Sequence, residues 1–197
     1  MTTMTAVLIG LTALFIFWSV GAYNRLIRLK NTIANAYGQI DVQLKRRYDL
    51  IPNLVEAAKK YLSHERVTLE AVITARNQAK SASDAVRAKP SNAGAVTTLA
   101  MAELALSSSL GQLFALNEAY PDLKADKTIE GLSEELTSTE NKVTFARQAF
   151  NDAVLGYNNA QGQFPAVLIA KLFSFEPSAM LQATQSAEER NTIRIAM

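Results

Sequence analysis

The first 24 residues contain no charged side chain, and this limits the possible folds more than any other feature. Residues 6–20 read AVLIGLTALFIFWSV. A helix needs roughly 20 apolar residues to cross the hydrocarbon core of a bilayer. Extended to Tyr23, the run is long enough, and it predicts a transmembrane anchor over residues 1–24. The rings of Trp18 and Tyr23 lie near its C-terminal end, where aromatic side chains favour the membrane interface.

A cleaved signal peptide is the main alternative to a retained anchor. Residues 20–22, Val-Gly-Ala, form an acceptable small-residue cleavage pattern. However, no basic residue precedes the apolar run, whereas three basic residues follow it at once and resist translocation. We therefore expect a single-pass membrane anchor, with the N-terminus outside and the large C-terminal domain in the cytoplasm. The expected membrane-interface residues are Trp18, Tyr23, Arg25, Arg28 and Lys30.

Composition excludes several classes of site in the remaining chain. The 197 residues are enough for one domain with its own core. The sequence has no cysteine and only one histidine, His64, so disulfides, thiolate chemistry, histidine triads and multi-histidine metal centres are all excluded. Phosphate-binding glycine motifs are also missing. We expect no enzyme activity and no cofactor.

Apolar side chains recur every three or four positions after the anchor, which predicts amphipathic helices. Pro52 interrupts the first of these, because proline lacks a backbone N–H and pushes Ile51 away from α geometry. We favour a hairpin with its break at residues 48–52 and a new helix capped by Asp49; one long kinked helix is the alternative. The first helix face consists of Leu26, Leu29, Ile33, Tyr37, Ile40 and Leu44.

Later segments complete an all-α fold. A near-heptad row in the fourth helix predicts packing against neighbouring helices at a shallow angle. We predict a transmembrane helix that continues into an antiparallel four-helix bundle over 25–175, a short C-terminal helix, and a tail over 176–197. The predicted later helices cover 51–80, 95–119, 129–162 and 165–173, with a polar loop at 81–92, and the near-heptad row is Ile129, Leu132, Leu136, Thr139, Val143, Ala146, Phe150, Val154 and Tyr157.

Two sets of residues are candidates for protein contacts. One is a basic triplet within a region, 25–47, that carries six basic side chains and one acid. A solvated helix end is the ordinary interpretation, and an acidic surface on another subunit or partner is the alternative. The other is an apolar block, 164–175, which is too short to span a membrane and is expected to cap the core or lie at an interface. The candidates are Lys45, Arg46, Arg47, Phe164, Leu168, Leu172 and Phe173.

The chain resembles the bacterial LemA family over nearly its whole length. Residues 41–56, DVQLKRRYDLIPNLVE, carry the most specific part of the resemblance. It continues through 118–125, EAYPDLKA, and through the pairs Tyr157-Asn158 and Phe164-Pro165. Tyr37 stands where the family often has tryptophan, and Lys60 where it often has glycine.

The resemblance implies a membrane-anchored helical bundle, and it implies no reaction, cofactor or catalytic residue. Related proteins are associated with membrane remodelling, and family members occur beside membrane metalloproteases. We therefore expect a scaffold with the lipid bilayer and further copies of itself as partners, and no nucleic acid. An adaptor or regulator of a membrane protease, or of another membrane protein, is the alternative.

Overall fold

The computed structural model describes residues 2–181, with side chains throughout except at 2, 117–119 and 124. This range contains six helices and no strand, which confirms the all-α prediction. Four of the helices form the bundle, and α4 and α6 are short. The helices are α1 (Thr2–Lys59), α2 (Arg66–Ala88), α3 (Ala93–Ala119), α4 (Pro121–Lys124), α5 (Lys127–Gly162) and α6 (Ala166–Leu172).

The first helix is one continuous element that contains Pro52, so the predicted break at residues 48–52 is wrong. Proline leaves the carbonyl four residues earlier without its helical donor. That carbonyl belongs to Tyr48, and it accepts a hydrogen bond of 2.8 Å from Nε of Arg76 on α2. A neighbouring helix thus satisfies the group that Pro52 leaves free. The chain turns instead at residues 60–65.

Both α2 and α5 run antiparallel to α1. Against α5, Leu26 of α1 packs with Ala160, whereas Tyr37 meets Phe150 with ring centroids 6.1 Å apart. Partner numbers therefore fall along α5 as they rise along α1. Against α2, Arg87 binds Asp41, and Arg76 reaches the level of residue 48.

The apolar rows predicted from the sequence form the core. In the row of α5, Leu132 is half-buried and all other members are buried, including Thr139, whose hydroxyl donates to the Leu136 carbonyl over 2.7 Å. The row of α1 is likewise buried apart from the half-buried Leu29. The predicted loop at 81–92 is shorter than expected, because α2 continues to Ala88. Apolar periodicity therefore located the core better than polar composition located the loops.

Residues 3–17 of α1 extend beyond the bundle with nearly all of their apolar side chains exposed. Within residues 2–181, two helices are apolar enough to cross a membrane, by length and composition. In Thr3–Lys59 the most apolar window has mean hydropathy 2.0 and is unburied, whereas the window in Ala93–Leu116 has 1.4. At the same end of the molecule, α6 packs against α1 and α5.

Candidate interaction surfaces and a buried ionic cluster

The basic triplet does not form a single exposed patch. Lys45 and Arg46 are exposed, and Arg46 forms an ion pair with Glu135 of α5. Arg47 is only 2% exposed and faces the core. The interpretation of Arg47 as part of a solvated helix end is therefore wrong, and this side chain is withdrawn from any docking surface.

Arg47 belongs to a buried ionic cluster that joins α1, α3 and α5. Its Nη1 lies 2.9 Å from Oε2 of Glu103, and its Nη2 donates to Ser107 Oγ over 3.1 Å. The other oxygen of Glu103 accepts a bond of 2.5 Å from the Tyr48 hydroxyl. Glu140 lies 3.7 Å from Arg47 on the side nearer solvent. The cluster fixes the relative positions of three helices.

Burial changes the acid–base behaviour of the cluster. The pKa of Tyr48 is raised strongly, first because the phenol is buried and then because the charge of Glu103 opposes a second anion. Burial also lowers the pKa of the Arg147 guanidinium, an effect that Glu103 partly offsets. Tyr37 lies nearby with a pKa raised to about 12, mainly by burial. Both tyrosines therefore stay protonated and uncharged at neutral pH.

The carboxylate of Glu103 is used within the cluster. Glu103 is buried and each of its carboxylate oxygens already accepts a hydrogen bond. The cluster is separate from an open groove between α1 and α5, which is lined mostly by polar residues and by Phe145. Among residues 2–181, no group of three His, Asp or Glu side chains is placed to hold a metal.

Two further polar residues, Asp126 and His64, lie at the start of a helix and in a loop. Asp126 caps α5 by accepting from the backbone N–H groups of Thr128 and Ile129. The Tyr61 hydroxyl also donates to Asp126, and together these bonds lower the pKa of its carboxyl. His64 is exposed in the loop at 60–65.

Two asparagines of α5 hold the chain beyond α6 through paired backbone hydrogen bonds. Asn158 donates to the Ser178 carbonyl over 2.9 Å and accepts from the Ser178 N–H over 3.0 Å. Asn151 makes the same pair with Leu181, at 3.2 and 2.8 Å. The asparagines are two helical turns apart, which matches three residues of extended chain, about 10 Å in each case. Residues 182–197 of the predicted tail lie outside the described residues.

The predicted membrane-interface residues and the C-terminal apolar candidates meet at one level of α1. Trp18 and Tyr23 are half-buried, and Arg25, Arg28 and Lys30 are exposed. Trp18 shares a groove with residues 163–166, and the Tyr23 ring contacts those of Phe173 and Phe175. Four exposed apolar side chains surround this junction: Phe164, Leu168, Leu172 and Phe173.

The outward face of α3 is a surface on which no residue was predicted from the sequence to take part in a contact. No charged residue occurs between Glu103 and Glu118, yet α3 lies at the outside of the bundle. A surface helix normally carries charges on the face opposite the core. The absence of charged residues between Glu103 and Glu118 is the sequence feature that could have identified this face. The exposed face consists of Thr97, Met101, Leu104, Ala105, Ser108, Gly111, Gln112 and Ala115.

Comparison with known proteins gives consistent results. The profile described as the LemA family matches residues 36–196. The chain is also similar to "Protein LemA" of Metamycoplasma hominis, with 27% identity over 174 residues, which is 87% of this chain and 74% of that protein. The profile match begins inside α1 and includes the ionic cluster, the α3 face and α6.

Proposed function

The chain belongs to the LemA family, and from that premise we propose that it is a non-enzymatic, membrane-anchored helical scaffold that self-associates through α3. The residues of α1 before the bundle supply the anchor. They are apolar, exposed and long enough to cross a bilayer core of about 30 Å. Arg25, Arg28 and Lys30 favour the cytoplasmic side of the bacterial inner membrane for the bundle.

The uncharged outward face of α3 is the observation that carries this proposal. Its exposed residues recur at steps of three or four, so they form one stripe along the helix. Leu104, at the centre, is 56% exposed. Met101 is the other large apolar side chain exposed on this uncharged stripe, and exposed apolar residues on a face without charges support a contact site there.

Membrane depth does not account for this face. The ionic cluster places Glu103 of α3 beside Arg47 of α1. Arg47 is 23 residues beyond Asn24, or about 35 Å along the helix axis at 1.5 Å per residue. The exposed stripe therefore lies far from the lipid when α1 stands upright, and its occupant is a protein.

A second copy of the chain fits this surface best. Every copy is anchored at the same depth, so the α3 stripes of neighbouring molecules lie at the same height above the bilayer. A two-fold axis along the membrane normal then pairs the stripe with itself, as an isologous interface requires. The small residues Ala105, Ser108 and Gly111 allow the two helices a short interaxial distance.

The test is native mass spectrometry of the full-length protein released from native nanodiscs. We expect a defined multiple of the 21.5 kDa chain. Leu104→Glu places a charge in the stripe and should yield monomers. The matched control is Val67→Glu, which adds the same charge at an exposed position near the start of α2.

A monomeric wild-type protein, both in native nanodiscs and after cross-linking in membranes, would refute self-association. A wild-type oligomer that Leu104→Glu leaves intact would refute the role of α3. If the monomer instead carries a membrane protease or another membrane protein that Leu104→Glu releases, the adaptor alternative replaces the scaffold.

A further inference from the structure

We infer that α6 and Phe164 form a second membrane contact, which lies in the interfacial region of the bilayer that α1 crosses. The occupant of this apolar surface is lipid, at the boundary between headgroups and acyl chains. The inference goes beyond the proposed scaffold, because a single copy of the chain would make this contact. It rests only on insertion of the N-terminal anchor.

The position of α6 along α1 is the first reason. Ala170 packs with Leu26, and Pro165 and Ala166 share a groove with Trp18 and Gly21. The Phe173 ring centroid is 4.9 Å from that of Tyr23. The whole segment therefore lies beside residues 18–26 of α1, where the apolar run ends and the first basic residues follow. Aromatic residues at such an end mark the membrane interface.

The exposed face of the segment is the second reason. Ile169 and Ala170 are buried, whereas Phe164 is 81% and Leu168 is 52% exposed. Leu172 is 73% and Phe173 is 54% exposed, so four large apolar side chains within ten residues leave much of their surface uncovered. In water this arrangement is unfavourable, since each exposed side chain forgoes the free energy of burial.

The charge pattern suits a lipid surface. No acidic residue occurs between Asp152 and Glu176, and Lys171 is the only charged residue in that interval. A long basic side chain can lie along apolar surface while its ammonium group reaches the phosphates. Interfacial segments combine large apolar residues with basic ones in this way. Arg25 and Arg28 directly follow the end of the apolar run in α1, so they add positive charge to this junction. The junction therefore favours anionic headgroups.

Lipid is a better occupant than a second copy because the surface is continuous with the anchor. Phe17 and Val20 of α1 are exposed just before the junction, and both belong to the apolar run that enters the bilayer. The exposed residues of α6 begin where that run ends. Two attachment points would fix the rotation of the bundle about the axis of α1, which a single helix cannot do.

The chain contains no cysteine, so a single introduced cysteine carries a unique label. We would attach the environment-sensitive dye NBD to Leu168→Cys in the full-length protein, reconstituted at one copy per nanodisc of phosphatidylcholine and phosphatidylglycerol. Lipids with a nitroxide at acyl carbon 5 quench the dye from the membrane, and iodide quenches it from water. The control is Leu104→Cys on α3, which is exposed to 56%, close to the 52% of Leu168.

We expect nitroxide lipid to quench the label at 168 at least threefold more than the label at 104, and iodide to show the opposite order. A label at Ile9→Cys, inside the apolar run, reports the anchor itself. Quenching at 9 without quenching at 168 would overturn the inference and leave the anchor standing. Without quenching at 9, both would fall.

A second copy as occupant has its own outcome. The label at 168 would then be protected from both quenchers only in nanodiscs loaded with several copies, and would be open to iodide in those with one. That result would also overturn the lipid contact. A second labelled pair, Leu172→Cys with Met101→Cys as its control, guards against a local effect of the dye, since both positions are exposed.

Discussion

Arg47 and Glu103 bring opposite charges into the middle of an apolar bundle, where each depends on the other. Both side chains are almost fully buried, so removing one partner deprives the other charge of its only buried counter-charge in the pair, and weaker contacts with Glu140 or Tyr48 remain. Breaking a buried pair from one side typically costs about 3–5 kcal/mol, whereas replacing both partners by well-packed neutral groups is often close to neutral. The cluster therefore predicts strong coupling between the two positions.

We expect Arg47→Met to lower the free energy of unfolding by about 3 kcal/mol, and Arg47→Met/Glu103→Gln to recover more than half of that loss. Glutamine at 103 can still accept the bond from Tyr48. Denaturant unfolding followed by circular dichroism, in mild detergent, measures both values. As a control, Arg66→Met breaks an exposed ion pair with Glu70 and should cost far less than Arg47→Met. Additive losses at 47 and 103 would contradict the coupling.

Tyr48 and Tyr37 predict a loss of stability at alkaline pH. An unfolded tyrosine has a pKa near 10, and in the folded protein both values are raised, that of Tyr37 to about 12. The stabilisation is complete below pH 10. It falls as pH rises from 10 to 12, because the unfolded chain releases protons that the folded chain retains.

Between pH 10 and 12, Tyr48→Phe should reduce the slope of unfolding free energy against pH by about 1.4 kcal/mol per pH unit, the contribution of one proton. At pH 8 the variant should be less stable by about 1–2 kcal/mol, because Glu103 loses a buried donor. Unfolding midpoints at several pH values give both quantities. Equal slopes in the two proteins would refute the assignment of Tyr48.

Among the candidate residues, the buried ionic ones were the hardest to place from sequence. Arg47 stands in sequence beside two exposed basic residues, and its partner Glu103 is 56 positions away. Periodicity gives the face on which a residue lies, but it does not show whether a distant carboxylate shares that face. The interface positions of Trp18 and Tyr23, which rest on the end of an uncharged run, stay a prediction.

Pro52 shows, at the level of helices, how tertiary contact overrides a local rule. The rule that proline ends a helix depends on the carbonyl left without a donor, and here Arg76 of α2 supplies one to Tyr48. The continuation of α1 through Pro52 thus depends on a hydrogen bond from Arg76, which lies 24 residues further along the chain. The range predicted for the fourth helix, 129–162, was close to the observed α5, Lys127–Gly162, by comparison.

Pro52→Ala should restore the helical donor for the Tyr48 carbonyl and make the bond from Arg76 dispensable. Arg76→Leu should then cost about 1–2 kcal/mol less in the Pro52→Ala background than in the wild type. A double-mutant cycle on thermal or denaturant unfolding measures this coupling. A neutral cycle would show that Arg76 stabilises the bundle by another route, such as its contact of 4.0 Å with Asp49.

The molecule as a whole is organised around one long axis. At 1.5 Å per residue, the 58 residues of α1 extend about 87 Å, enough to cross a bilayer and carry the full height of the bundle. Its distal end lies about 50 Å beyond Asn24. There the loop at 60–65 meets the start of α5 through the bond between Tyr61 and Asp126.

Charge distribution decides whether such a body stands upright or lies on the lipid. The net charge is only +2, and several basic side chains in the bundle are already paired with carboxylates of the same chain. Arg46 binds Glu135, Arg47 binds Glu103, and Arg87 binds Asp41. Basic residues near the anchor act within a Debye length of about 10 Å, which does not reach the upper half of the bundle.

We therefore predict that the protein forms a layer about 50 Å thick on a supported bilayer, and that this thickness does not depend on the fraction of anionic lipid. Neutron reflectometry measures the thickness directly. Glu135→Gln frees Arg46 from its partner, and as a single charge it should leave the layer unchanged. A bundle held flat by electrostatic attraction would give a layer about half as thick, and the thickness of that layer would increase with added salt. In a flat orientation the α3 stripes of neighbouring molecules would no longer stand at the same height above the bilayer. The geometric basis for lateral assembly would then be lost.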